Sequence, residues 1–567
     1  MKQNIIFLII DALMPSRTGF GGNVQGISPE LNRIVENSLY CSQAFSMGNP
    51  TEFALPGLFA SSYLLDNGGY AEGIAGRKNT LAEVLQREGY QTAAFTPIFR
   101  PISNRYDRGF DDYYHLYDPR VISKNFSNTL NWYKSKFHSK GISKSDCIEE
   151  IVLQCRLYFS DILNYCEIWD QYLKNPIFMS SHIFSRIDYK NFKKNIMEEK
   201  DIFESNEIQY AEDILTGKEA GFVSIIRRIV AKRILNTFPS FYDIQYKAIL
   251  LRNMKKFWQA STSYRSSKLV LADALYRILQ GQQKWIKYPS AGYLTDVFIE
   301  WLGIRNKEKP FYAYLHYVDV HELNHYSWDY IKKNKNQSIE LNNLNNSFSK
   351  MNHSAGYSGN MMYDGAISYV DQVISKLLKY LKNEDILKNT LIVISSDHGG
   401  SFPNIPIRDH NISHRVDCFY DELYRIPVIF YGRDIRPSEY SELVSSVDIA
   451  PTILDFVGAP IPESFKGHSL IKNNYNRDYI LMENQGRGPC DLKRKPIKVC
   501  VRSKNIKLVY VAEPKLESRR EYISELYDLS NDPDEYNNQC NNEEYILYAR
   551  PYVNIARERI RSIQEST

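Results

Sequence analysis

The chain has 567 residues, with 70 Lys/Arg against 66 Asp/Glu and a formal net charge of +4. Such a length exceeds one ordinary hydrophobic core, so a large domain with additions is expected, and the near-neutral balance speaks against an obligate nucleic-acid binder. Its eight cysteines form no CxxC pair and read as free thiols of a reducing compartment.

In chain order, Lys2-Gln3-Asn4 leads into the apolar run Ile5 to Ile10, which stops at Asp11. The run is too short for a signal sequence or a membrane span, and no cleavage pattern follows it. It reads as the first buried strand of a soluble, cytoplasmic protein. Ser28-Pro29-Glu30 then opens a helix with Leu31, Ile34 and Val35 on one face. Thr51 stands between Gly48-Asn49-Pro50 and the run Glu52 to Phe59, near an expected helix N-terminus where backbone N–H groups favour an anion. A plain helix cap is the blander reading of the same residue. Thr80 caps a further helix ending at Gly89, and Gln91 to Thr96 reads as a second parallel strand. This βαβ rhythm predicts an α/β, doubly wound sheet.

Residues 116–305 break the rhythm and are helical in period. Within them, Phe222 to Lys256 carries eight Lys/Arg against the single acid Asp243. Its first half sets Phe222, Ile225, Ile226 and Ile229 against Arg227, Arg228, Lys232 and Arg233. That pattern suits a weak contact with a membrane surface or an anionic substrate, or simply a solvated helix packed on the main domain. The α/β pattern then resumes. Phe311 to His316 reads as a strand, Tyr363 to Leu381 as a helix, and Ile392 onward as a strand ending in Ser396-Asp397-His398-Gly399-Gly400. Ile426 to Tyr431 is a further strand, and Val447 to Thr452 begins a helix. Short strands at Lys498 to Val501 and Lys507 to Val511 predict a small antiparallel subdomain. The expected organisation is 1–115 and 306–474 as two parts of one catalytic domain, 116–305 as a helical insertion or lid, and 475–567 as the C-terminal subdomain.

In a parallel sheet, ligands sit at the carboxyl ends of strands. Asp11, Asp397 and His398 all fall at such ends and are candidate ligands for a divalent metal, with glycines that admit close backbone approach. Thr51 is the candidate nucleophile, since an alcohol beside a metal loses its proton more readily. His316, Asp319 and His321 stand at another strand end, where they would hold a second metal, bind an anionic oxygen or protonate a leaving group. His410 and His414 follow soon after His398, and His414 lies in a loop leading to the next strand.

The order of these stretches resembles the sulfatase family of the alkaline phosphatase superfamily. The matching segments are the strand ending in Asp11, Ser28 to Arg33, Thr80 to Tyr90, His316 to His321, Ser396 to Gly399, Tyr420-Asp421-Glu422, Asp448 to Leu454, Glu525 to Leu529 and Asn531-Asp532-Pro533. Residues 116–305 fall outside the resemblance. In sulfatases a Cys or Ser converted to formylglycine opens a Cys-x-Pro-Ser-Arg motif. Here the corresponding stretch runs from Thr51 to Ser61 and keeps the spacing without those residues, and threonine cannot become formylglycine. Threonine at this place is similar to the phosphoryl-handling branches. The family's frequent second acid is Ala12 here.

The resemblance implies an alkaline-phosphatase-like, mostly parallel sheet. It also implies a metal-dependent hydrolase of phosphate or sulfate esters, working through a covalent Thr51 ester. Asp11, Thr51, Asp397 and His398 resemble the ligand set for one divalent metal, with zinc ahead of calcium, magnesium or manganese. His321 and His414 would contact substrate oxygen and protonate the leaving group. His316 and Asp319 are further candidates for a second metal or for substrate. The substrate would be a small-molecule, glycan or lipid ester, with no nucleic acid. The alternatives are a phosphoethanolamine- or phosphoglycerol-type transferase, or a non-catalytic member that binds an anion or a partner. No signal in the sequence bears on oligomeric state.

Overall fold

The computed structural model describes residues 2–565 except 24–25, 71–72, 98–105, 116–125, 127–128, 131–132, 136, 139–140, 173–185, 218–220, 222–289, 323–355, 401–417, 473–474, 487–489 and 515–519. The basic stretch from Phe222 to Lys256 therefore lies outside the described residues, as do His410 and His414. By packing, the chain divides into a larger unit (Met1–Leu116, Pro289–Ile339 and Asn352–Thr567) and a smaller one (Tyr117–Tyr288 and Glu340–Met351).

The larger unit begins with β1 (Asn4–Ile10), α1 (Pro29–Val35), β2 (Ser38–Cys41), β3 (Ala44–Phe45), α2 (Thr51–Ala60), α3 (Leu81–Arg87), β4 (Gln91–Thr96) and β5 (Asp112–His115). Thr80 caps α3 in a capping box with Glu83, and Gly89 follows with φ +87°. The smaller unit holds α4 (Lys144–Tyr172), α5 (Arg186–Ser205) and α6 (Glu207–Leu215). Along α4, Cys147, Ile151, Cys155, Tyr158, Ile162 and Cys166 are fully buried. Their three- and four-residue spacing is one face of a helix.

The chain then supplies the larger unit with α7 (Ala291–Ile304), β6 (Phe311–Tyr317), α8 (Asp319–Glu322), α9 (Gly356–Asn383), β7 (Thr390–Ser395), α10 (Asp421–Tyr424), β8 (Val428–Tyr431), β9 (Ser438–Tyr440), β10 (Val444–Ser445) and α11 (Ile449–Phe456). The sequence reading put α7 at the end of the insertion, but it packs with the larger unit. Phe298 and Trp301 lie 5.3 and 5.8 Å from the Phe95 ring, and the Trp301 indole donates to Asp112 at 2.8 Å. An apolar helix face takes the sheet that offers aromatic rings, whatever segment the helix arrives from.

The main sheet has the order β5-β4-β6-β1-β7-β8-β2-β9. From β5 to β7 every pairing is parallel, while β8 runs antiparallel to both β7 and β2. All seven residues of β1 are buried, as are all of β6 and β7, which is why these strands read as unbroken apolar runs. Beyond them, β11 (Tyr479–Asn484), β12 (Ile497–Ser503), β13 (Ile506–Ala512) and β14 (Glu521–Asp528) form a separate antiparallel sheet in that order. Then come α12 (Glu543–Tyr548) and α13 (Arg550–Glu565), whose Val553, Ala556, Ile560 and Ile563 pack into one core with Val499, Val501, Leu508 and Tyr510. This sheet belongs to the larger unit rather than forming a unit of its own. Among the described residues, no helix is long and apolar enough to cross a membrane. None of the eight cysteines is joined in a disulfide.

A buried charge cluster ties the antiparallel sheet to α10. Lys507 on β13 is completely buried, 3.0 Å from Asp421 and also paired with Glu535. Arg502 reaches Asp421 at 2.8 Å, and the Glu535 carboxylate accepts the Asp421 N–H at 2.9 Å. Burial by itself would raise the Asp421 pKa, yet Lys507 and Arg502 bring it down from an ordinary 3.8 to about 2.

Candidate active site

Because β6, β1 and β7 are adjacent and parallel, their carboxyl ends meet. Ile9 pairs in register with His316 on one side and Ser395 on the other. The chain therefore delivers Asp11, His316, His321 and Asp397-His398 to one place. Thr51 arrives on the first turn of α2, where its hydroxyl lies 3.2 Å from His398 Nε2.

The orientation of His398 follows from its neighbours. Nδ1 lies 2.6 Å from the Gly399 carbonyl, which can only accept, so Nδ1 carries the proton. In the neutral ring, Nε2 then presents a lone pair. It faces Asp397 Oδ2 at 3.5 Å, Asp11 Oδ1 at 3.6 Å and the Thr51 hydroxyl. Asp11 Oδ1 and Asp397 Oδ2 are buried and have no hydrogen-bond partner. Gly399 is required where it stands, because a Cβ there would come 1.9 Å from the Glu422 carbonyl oxygen. Its N–H donates to the Leu423 carbonyl of α10 at 2.9 Å.

Several acceptors aimed at one another without donors are costly to bury unless a cation lies among them. Donor atoms about 2.0–2.1 Å from a tetrahedral zinc would stand about 3.3 Å apart. The three separations measured from His398 Nε2, to Thr51, Asp397 and Asp11, are 3.2, 3.5 and 3.6 Å. Asp11, His316 and Asp397 form one cluster with metal-binding spacing, and Asp11, His321 and His398 form another. The nitrogen-and-carboxylate chemistry of these donors suits a divalent metal, as the sequence led one to expect.

The remaining residues divide. His316 Nε2 lies 3.4 Å from Asp11 Oδ2, while its Nδ1 meets the Tyr314 hydroxyl at 2.7 Å. Burial works to raise the Asp11 pKa, but the charge of His321 and the hydrogen bond and charge of His316 lead the opposing effects, and the carboxyl is held well below the usual carboxylate range. His321 sits with its ring 5.9 Å from that of His398, at metal-binding spacing with Asp11 and His398. Asp319 is in neither metal cluster. Its Oδ2 accepts the Ala291 N–H of α7 at 2.8 Å, and burial pushes its carboxyl up to about 7. His414, expected beside the leaving group, is outside the described residues.

Sequence reasoning missed Asn49. It is 1% exposed, both polar atoms of its amide lack a protein partner, and it lies two residues before Thr51. Burial without partners is a signal that only a folded structure carries.

The Sulfatase family profile matches residues 3–154 and 232–459, well over half of the chain. The chain belongs to the sulfatase family. A second profile, the C-terminal region of N-sulphoglucosamine sulphohydrolase, matches residues 414–551 of this sulfatase-family chain. Among curated proteins it is similar to arylsulfatase K of Canis lupus familiaris, 26% identical over 189 residues, covering 31% of the chain and 32% of that protein. An N-acetylglucosamine-6-O-sulfatase of Bacteroides thetaiotaomicron is 29% identical over 212 residues, covering 35% of the chain and 34% of that protein. The matches thus span about a third of each relative's length. Among solved structures, the phosphonate monoester hydrolase of Agrobacterium radiobacter has a TM-score of 0.51 at 15% identity, with 100% of this chain and 96% of that chain covered. The corresponding enzyme of Silicibacter pomeroyi has a TM-score of 0.52 at 15% identity, covering 99% of this chain and 96% of that one. These likenesses agree with the alkaline-phosphatase-like fold.

Proposed function

We propose that the chain is a metal-dependent hydrolase of phosphate or sulfate esters in which Thr51 is the nucleophile. The observation that carries this reading is the Thr51 hydroxyl 3.2 Å from His398 Nε2, beside two buried carboxylate oxygens that have no hydrogen-bond partner. Family membership supports the same reaction class. Asp11, Asp397, His398 and the Thr51 oxygen would hold one divalent metal, with zinc the best match to this donor set. When bound, the metal neutralises charge on the transferring group and lowers the pKa of the alcohol.

Thr51 Oγ1, its proton released to solvent, forms the new bond to phosphorus or sulfur as the bond to the leaving oxygen breaks, and the leaving oxygen takes a proton from His321. Water then adds to phosphorus or sulfur as the bond to Thr51 Oγ1 breaks, giving one proton back to His321 and leaving as hydrogen phosphate or hydrogen sulfate with the other. The buried, unpartnered Asn49 amide, two residues before Thr51, would supply an N–H donor to the oxygens on which charge grows.

The test compares Thr51→Ala, Thr51→Ser and wild type on aryl phosphate, phosphodiester, phosphonate and sulfate esters. Thr51→Ala is expected to lose roughly 10⁶-fold in kcat, the scale of removing a nucleophile, while Thr51→Ser keeps measurable turnover. An alanine variant as active as wild type sinks the covalent reading. Asn49→Ala is expected to lower kcat by roughly 10²–10³-fold with little change in KM, the pattern of a donor used mainly at the transition state. A rise in KM at constant kcat would instead assign the amide to ground-state binding.

A further inference from the structure

The loop after β1 carries a backbone conformation that its own sequence does not favour. Ala12 sits at φ +59°, in the left-handed region that L side chains rarely adopt. It is held there from both sides. Its N–H donates to Asp397 Oδ1 at 3.1 Å, and its carbonyl accepts the Tyr363 hydroxyl at 2.7 Å. The same hydroxyl accepts the Met14 N–H at 2.9 Å, while Leu13 N–H donates to the Ser396 hydroxyl at 2.9 Å. One residue along α9, Asp364 takes both arms of Arg17, at 3.0 and 2.5 Å. Tyr363 and Asp364 are 1% and 3% exposed.

We infer that Tyr363, backed by the Asp364–Arg17 pair, is a positioning residue for the metal site, acting through the Ala12 peptide on Asp397. This rests on the metal reading above. The Ala12 N–H occupies one Asp397 oxygen, so the carboxylate can turn only its other oxygen, Oδ2, toward His398 and Asp11. The hydroxyl of a helix some 350 residues away fixes that alanine's carbonyl, and through it the N–H that aims the ligand. Removing the hydroxyl leaves the buried Ala12 carbonyl and Met14 N–H without a shared partner. Residue 12 is then free to relax out of the left-handed region, and Asp397 loses its fixed rotation.

The experiment measures Zn²⁺ dissociation constants of wild type, Tyr363→Phe and Asp364→Asn by competition with a chromophoric chelator, together with melting temperatures of the metal-free proteins. Tyr363→Phe is expected to bind zinc about tenfold more weakly, in the range for losing a partner that orients a ligand, with its metal-free melting temperature within a few degrees of wild type. Asp364→Asn is expected to weaken zinc about threefold, and it carries the test if Tyr363→Phe does not fold. Dissociation constants within twofold of wild type in the folded variants overturn the inference. A wild type that binds no zinc overturns it together with the metal reading, and only the wild-type arm gives that result.

Discussion

Asp397→Ala is expected to abolish stable metal binding. In the wild type, one oxygen of this completely buried carboxylate accepts the Ala12 N–H and the other faces His398 Nε2 at 3.5 Å without a hydrogen-bond partner. Losing a residue that merely orients a ligand costs 10–100-fold in affinity, so losing a ligand should cost roughly a thousandfold or more. Elemental mass spectrometry of the purified proteins checks this directly. About one zinc or similar ion is expected per wild-type chain, against a small fraction of one per Asp397→Ala chain. Equal metal content in the two proteins would place the ion elsewhere. Metal in neither, after incubation with Zn²⁺, Mn²⁺, Mg²⁺ and Ca²⁺, would remove the metal-dependent mechanism. Asp11→Ala is expected to behave alike, because Asp11 is common to both clusters with metal-binding spacing.

The largest expected effect on stability comes from Lys507→Met. Methionine fills much the same volume, but it leaves Asp421 and Glu535 facing each other in a buried cluster, with Arg502 alone to balance Asp421. Breaking a buried pair by removing one partner costs about 3–5 kcal/mol. The urea midpoint of Lys507→Met should fall accordingly, and a midpoint unchanged from wild type would refute the role given to the cluster. Adding Glu535→Gln should restore part of the loss, since the two side chains share one network. The same cluster sets a dependence on acid. Asp421 has its folded pKa depressed to about 2 from an ordinary 3.8. Its contribution is therefore fully present above about pH 4 and is lost as the pH falls toward 2. Chemical denaturation of wild type across that window should show the decline, and Asp421→Asn should flatten it.

How much of this was legible beforehand depends on the range of the interaction that decides it. Short-range signals held well. The apolar run ending at Asp11 is β1, Gln91–Thr96 is β4, and Thr80 caps α3 with Glu83 as its partner. In each case a few neighbouring residues settle the backbone. Other elements were invisible for the opposite reason. The pair Ala44–Phe45 becomes a strand only because Val444–Ser445 lies alongside it, and Glu521–Asp528 forms the edge strand of the C-terminal sheet by pairing with β13. Helix α7 was assigned to the insertion because helical period alone does not say which sheet an apolar face will cover.

The sequence by itself determined the chemistry on offer. It named an acid at the end of β1, an Asp-His-Gly-Gly turn at the end of β7, the histidines after β6 and a threonine at a helix start. Each signal is a residue type at an element boundary, and boundaries are written locally. Only the tertiary structure decided which of these meet and what holds them. The strand order β6-β1-β7 brings Asp11, His316 and Asp397 together, while Asp319 turns away to receive the Ala291 N–H. The fold also added two groups that no motif marks, the unpartnered amide of Asn49 and the hydroxyl of Tyr363 that holds Ala12. The burial of the first and the contact of the second, between residues 351 positions apart, exist only once the chain has closed on itself.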